Sequence, residues 1–268
     1  MIAASAALGA GLFPTLRAIV NGSSVQPVAV PATTQPAVGP LTAATRAQQS
    51  AAPGSLRVLL VGNSVAYDLA PAFRAITSPP TAVLDESIQG CGFPPELTDV
   101  HITLPDRLVI AQPPCDPDWE AGVVARFRPR VVFWIVSDPL GTGGTYRGQR
   151  VRPCDAAYDT LYERRLKQEV AVLGARGAHV VVVTEAYSRY LGVKKYDRGT
   201  DCQNRIRRQV ATTTGAHLAD LFEYVCPRGH CVVTRDGVTL RSDGLHYQGA
   251  GARIVAQWLL DQTLSKRS

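Results

Sequence analysis

Three residues of this 268-residue chain, Ser64, Asp243 and His246, have the types and settings that nucleophilic catalysis requires. A serine hydroxyl is a poor nucleophile at neutral pH; it needs an imidazole within hydrogen-bond reach and a third group to hold that imidazole in one tautomer. Ser64 closes the short turn Gly62-Asn-Ser64, directly after the apolar run Leu56 to Val61. Asp243 and His246 lie three residues apart in Asp243-Gly-Leu-His246, just before a helical pattern from Gly249 to Leu264, so one loop presents both side chains. Alone, Ser64 reads equally well as a helix N-cap, and Asp243 as a loop carboxylate capping the last helix. Their joint occurrence points to catalysis.

The elements that must position these groups follow from periodicity. Apolar runs over Leu56 to Val61, Ala82 to Ile88, Arg130 to Val136, Ala178 to Thr184 and His217 to Leu221 read as strands, several of them buried on both faces. Helical patterns cover Val65 to Thr77, with Pro71 as a kink or early stop, then Asp118 to Phe127, Asp155 to Ala175, Asp201 to Thr213 and Gly249 to Leu264. Strand and helix alternation of this kind predicts an α/β chain folded as a three-layer α/β/α sandwich around a central, mostly parallel five-stranded sheet. In such sheets functional groups gather at the carboxyl ends of strands, where Ser64, Gly90, Ser137 and the Asp243/His246 loop fall or reach. A dinucleotide-binding reading of the first strand fails. Gly62-Asn-Ser-Val-Ala lacks the second and third glycines that let the backbone approach a pyrophosphate.

Val58-Leu-Leu-Val-Gly-Asn-Ser64 resembles the first block of the SGNH, or GDSL-like, hydrolases, and Ser242-Asp-Gly-Leu-His-Tyr247 resembles their last block. Ser64, Asp243 and His246 then match the catalytic positions, over a resemblance spanning roughly residues 56 to 264. The Gly90-Cys-Gly92 turn, Cys115 with Trp119, and Arg130-Val-Val-Phe-Trp-Ile-Val136 look more narrowly like the extracytoplasmic SGNH domains fused to acyltransferase-three membrane domains. Gly90 matches the second block, which implies an oxyanion hole built from the N–H groups of Ser64 and Gly90. The third block departs from the family. Where relatives carry an asparagine in Gly-x-Asn-Asp, this chain reads Val136-Ser-Asp-Pro-Leu-Gly141, so the Ser137 hydroxyl or a loop N–H near Gly141 to Gly144 would have to act as donor. The resemblance implies a serine-dependent O-acyltransferase, passing an acyl group from an acylated donor to an extracytoplasmic glycan or glycolipid, without a cofactor and beside a membrane-bound acyltransferase domain. Ester hydrolysis and a catalytically silent SGNH-fold binding domain are the alternatives.

The even set of six cysteines, Cys91, Cys115, Cys154, Cys202, Cys226 and Cys231, lacks a paired Cys-x-x-Cys framework, which favours disulfides in an oxidising compartment over a metal site. Spacing and the family resemblance together suggest Cys91 with Cys115, Cys154 with Cys202 and Cys226 with Cys231. His179 and His217 sit at strand starts, His101 and His230 in loops, and no metal-ligand constellation emerges. Tyr187 and Tyr247 are candidate substrate-pocket residues, with rim packing as the ordinary alternative. The net charge of +6 includes Arg164-Arg165-x-Lys167 and Arg205-x-Arg207-Arg208, which read as solvated helix faces or, secondarily, as contacts with a membrane surface or envelope polymer. Aromatic residues do not interleave with these clusters, which argues against nucleic acid.

Organisation is expected in three parts. Residues 1–20 are apolar but interrupted by Pro14 and Arg17, leaving a secretory signal, a weak anchor and the tail of an upstream membrane segment as readings. Residues 21–55 hold five of the 19 prolines and one charge, Arg46, and read as a disordered linker. Residues 56–268 form the catalytic domain, extracytoplasmic or secreted.

Overall fold

A computed structural model describes residues 39–103, 109–115, 119–138, 141, 143–190 and 196–265. The apolar segment 1–20 and the linker as far as residue 38 lie outside the described residues. Five strands, β1 (Leu56–Gly62), β2 (Thr81–Asp85), β3 (Val131–Ile135), β4 (His179–Val183) and β5 (His217–Ala219), form one sheet in the order β2-β1-β3-β4-β5. Every pairing in it is parallel. The order reverses between β1 and β3. Such a switch point opens a crevice at the carboxyl ends of those strands, where neighbouring connections leave to opposite faces.

Strict alternation explains why the strands read as continuous apolar runs. Leu59, Val61, Val132, Trp134, Val180 and Val182 enter one core, whereas Val58, Leu60, Val131, Phe133, Val181 and Val183 enter the other. The first face is covered by α1 (Pro40–Ser50), α3 (Glu120–Phe127), α4 (Ala156–Gly174) and α5 (Asp197–Thr214). The second is covered by α2 (Ser64–Arg74), α6 (Leu221–Val225) and α7 (Gly249–Leu264). The expected helices all form; the one expected over Val65 to Thr77 ends at Arg74, three residues beyond Pro71. Three small antiparallel hairpins, invisible to periodicity because each strand has at most three residues, decorate the loops.

The linker expectation is corrected at its C-terminal end. Pro40 starts α1, whose Ala44 is fully buried and whose Leu41, Ala43 and Ala47 pack on the core. Gly122 of α3 has no side chain to obstruct Leu41; a Cβ there would lie 2.7 Å from its Cδ2. A stripe of small residues met by a glycine thus buries a segment whose composition suggested disorder.

Three disulfides join Cys91 to Cys115, Cys154 to Cys202 and Cys226 to Cys231, the expected pairing. Cys154–Cys202 ties the start of α4 to α5 across a sequence separation of 48 residues. Loop-closure entropy makes this bridge worth about 4 kcal/mol, against about 2 kcal/mol for the five-residue separation of Cys226 and Cys231. Chemical denaturation should therefore show Cys202→Ser losing roughly twice as much stability as Cys231→Ser.

A second prediction arises at the end of β2. Glu86 is 6 % exposed and shares a small internal cavity with Glu120 and Glu169; Arg165 pairs with Glu169 at 3.2 Å. Burial, with the Asp85 carboxylate adjacent, pushes Glu86 up to about 8 from an ordinary 4.5. The native state thus holds this proton more tightly than the unfolded chain. Its contribution to stability is present below pH 4.5 and is lost as pH rises towards about 8. Urea midpoints across that window should fall less steeply in Glu86→Gln than in the parent.

Candidate active site

The turn after β1 is dictated by close approach. Gly62 has φ 153°, and a Cβ there would fall 1.8 Å from the Ile135 carbonyl oxygen, so only glycine lets the chain turn against β3. Asn63 follows as the N-cap of α2, yet its side chain makes no capping bond. Instead its amide donates to the Ser137 carbonyl, while its Oδ1 accepts the Ser137 N–H at 3.3 Å. The ends of β1 and β3 are thereby knitted together. Ser64 then stands at the first turn of α2, where helix N–H groups are unpaired and the dipole favours developing negative charge.

The C-terminal loop delivers the other two groups. His246 Nδ1 meets Asp243 Oδ2 at 2.6 Å, and His246 Nε2 meets Ser64 Oγ at 2.9 Å. Asp243 Oδ1 also accepts the N–H groups of Leu245 at 2.9 Å and His246 at 2.8 Å, which fixes the carboxylate within its own loop. Burial raises the Asp243 pKa, but the hydrogen bonds from His246 and Leu245 outweigh it and hold the carboxyl below the ordinary 3.8. Asp243 is therefore ionised at neutral pH. Ser64, Asp243 and His246, 182 residues apart at the extremes, form one hydrogen-bonded line.

The remaining expected residues fall in different places. Gly90 occupies an exposed turn with φ 70°, anchored by the Ile88 N–H on the Gly62 carbonyl at 2.8 Å and by the Cys91–Cys115 bridge. Ser137 is 7 % exposed, and its N–H is committed to Asn63. The Gly141 N–H is likewise committed, donating to Asp138 Oδ1 at 2.9 Å. Tyr247 is 2 % exposed inside the core, with its phenol pushed up to about 12 by burial, and lines a small cavity with Ser137 and Leu245. Tyr187 donates its hydroxyl to Asp201 at 2.7 Å and packs edge-on to Phe222, which makes it a rim strut. The aromatic ring beside the imidazole is Tyr190, edge-on with centroids 6.0 Å apart. Nothing in the residue pattern distinguished it from Tyr187.

One member of the basic clusters is corrected, while Arg164, Lys167, Arg205 and Arg208 keep the expected solvated positions. Arg207, expected on a solvated face, is fully buried. It donates to the Val136 carbonyl at 2.7 Å, to Glu185 at 3.2 Å and to the Tyr162 hydroxyl at 2.9 Å. Glu185 in turn accepts the Asp138 N–H at 2.8 Å and the Thr200 hydroxyl at 3.1 Å. This network braces the loop after β3, where the family's third block would lie. Arg205 pairs with Asp159 and Arg208 with Asp220, because acidic residues on neighbouring elements meet them. His179 and His217 stack at the opposite end of the sheet from the triad. Among the described residues no group of three His, Cys, Asp or Glu could hold a metal ion, and no helix is long and apolar enough to cross a membrane.

A parallel α/β/α sandwich carrying a Ser-His-Asp line at the carboxyl ends of its strands is the architecture of the SGNH/GDSL hydrolases. The chain belongs to the family described as SGNH domain (fused to AT3 domains), whose model matches residues 34–261. A GDSL-like lipase from Bacteroides thetaiotaomicron VPI-5482 superposes with a TM-score of 0.54 at 14% identity, covering 86% of this chain and 100% of that one. A protein of Bacteroides fragilis NCTC 9343 described as an acylhydrolase gives 0.54 and 14%, covering 83% and 94%. An acetylxylan esterase from Geobacillus stearothermophilus gives 0.49 at 19% identity, covering 78% and 94%. At 14% identity the two matches with a TM-score of 0.54 establish fold alone. No curated protein matches the sequence.

Proposed function

We propose that this domain transfers O-acyl groups to an extracytoplasmic cell-envelope glycan or glycolipid through an acyl-Ser64 intermediate. The observation that carries the chemistry is the unbroken line Asp243–His246–Ser64, at 2.6 and 2.9 Å. His246 takes the Ser64 proton as Oγ attacks the acyl carbonyl of the donor, Asp243 stabilises the imidazolium, and the N–H groups of Ser64 and Gly90 receive the oxyanion. His246 then returns the proton to the leaving group. A sugar hydroxyl, deprotonated by the same imidazole, attacks the acyl-serine, forms the new ester and releases Ser64. The family's association with acyltransferase-three domains supports a membrane-bound donor partner, and the three disulfides support an oxidising, extracytoplasmic setting.

Ester hydrolysis is the second reading, because Ser64 is partly exposed and water can resolve the same intermediate. Supplying a chromogenic acetyl ester with a panel of oligosaccharides, and following both free acid and glycan mass, separates the two. Acyl-transfer predicts acetylated glycan at the expense of free acetate. Water-only turnover across the panel, together with unchanged envelope acylation in a deletion strain, would contradict it and leave an esterase.

A further inference from the structure

Resting on the acyl-transfer reading, we propose that the acceptor glycan lies in the long cleft at the β2 edge of the sheet, stacked on Tyr67 and Trp119 and hydrogen-bonded by Asp68, Gln89 and Gln248. The cleft has a volume of about 1320 Å³ and opens between the α1/α3 layer and the α2/α7 layer. That exceeds the roughly 300–1,000 Å³ of a pocket for one small molecule, and suits a chain of sugars.

Two of its walls start within three residues of Ser64 and His246 along the chain. Along α2 the lining residues Tyr67, Asp68, Pro71, Ala72 and Ala75 recur at helical spacing on the face that begins with Ser64. At 1.5 Å per residue this wall runs about 16 Å away from the nucleophile. A second wall, from Gln248 to Arg253, begins two residues beyond His246. A third, Asp85 to Gln89, ends beside Gly90. Gln248 Nε2 donates to Asp68 Oδ2 at 3.1 Å, closing the second wall against the first. A ligand held in the cleft therefore has one end within reach of the triad.

The lining chemistry selects a polyhydroxylated occupant over an acyl chain. Tyr67, 46 % exposed on α2, and Trp119 at the start of α3 supply flat apolar faces. Between them stand carboxylates, amides and the guanidinium groups of Arg74 and Arg253. An alkyl chain would strip water from these groups and return no hydrogen bond, at substantial cost. Sugar hydroxyls replace that water, while the apolar faces of the rings cover the aromatics.

The test is calorimetric titration of the full chain carrying Ser64→Ala, which cannot turn over, with di- to hexasaccharides of several linkages and with octanoate as the acyl-chain probe. The proposal expects binding that tightens with glycan length and weakens at least about tenfold on adding Tyr67→Ala or Trp119→Ala, with retained near-ultraviolet circular dichroism. Tyr67 is a surface residue, so its variant reads binding even where Trp119→Ala perturbs the fold. Glycan affinity indifferent to Tyr67→Ala, no binding by any glycan of the panel, or octanoate binding that alone depends on Tyr67 would each overturn it. Tyr67-dependent glycan binding combined with water-only turnover would sink acyl transfer while leaving the cleft assignment standing. Acyl transfer whose glycan affinity is indifferent to Tyr67 would do the reverse.

Discussion

Ser64→Ala and His246→Ala should each lower turnover of 4-nitrophenyl acetate by about 10⁴- to 10⁶-fold, with thermal midpoints close to the parent. Members of a triad act as a unit, so losing nucleophile or base removes nearly the whole covalent path. The double variant should be scarcely slower than either single one. Asp243→Asn should cost up to about 10⁴-fold, because an amide favours the wrong imidazole tautomer. Its Oδ1 can still accept the N–H groups of Leu245 and His246, so the loop should keep its shape. Steady-state kinetics and thermal melts on the same samples check both parts. Additive losses would argue that these residues work separately.

Removing the Arg207 side chain should be among the most damaging single changes to the fold, at about 3–5 kcal/mol. The guanidinium is fully buried and bonds to Glu185, to the Val136 carbonyl and to Tyr162. Arg207→Met would leave Glu185 buried without its cation, and an uncompensated charge costs more than the pair contributes. The Val136 carbonyl would lose a donor as well. Glu185→Gln added to Arg207→Met should recover part of the loss, since it removes the stranded charge. Urea unfolding of the two variants measures this; equal stability for single and double variants would contradict the charge argument.

Much of this architecture was readable because a parallel sheet buried on both faces must be written as uninterrupted apolar runs. Val58-Leu-Leu-Val61 and Val180-Val-Val-Val183 are such runs, and each residue enters one core or the other. The Ser64–His246–Asp243 line was readable because nucleophilic catalysis would restrict residue type, and because Gly62 can be nothing else against Ile135. Other parts depend on partners that only folding supplies. The α1 segment looks like linker until Gly122 makes room for Leu41. Arg207 looks like its solvated neighbours Arg205 and Arg208 until α5 docks and turns that one position onto Glu185. Tyr67 carries no sequence signal, because the cleft it lines with Trp119, 52 positions away, exists only once the chain has folded. The altered third block was visible as a departure. That Asn63 and Asp138 engage the backbone donors around it required the geometry of the loop.

Labelling with a fluorophosphonate tests the central claim most directly, because such a probe phosphonylates only a serine activated by its neighbours. The full chain, treated with the probe and digested, should carry one label on the peptide containing Ser64, and His246→Ala should carry almost none. An unlabelled Ser64, or labelling that persists undiminished without His246, would contradict the assignment of Ser64, His246 and Asp243 as a working catalytic triad.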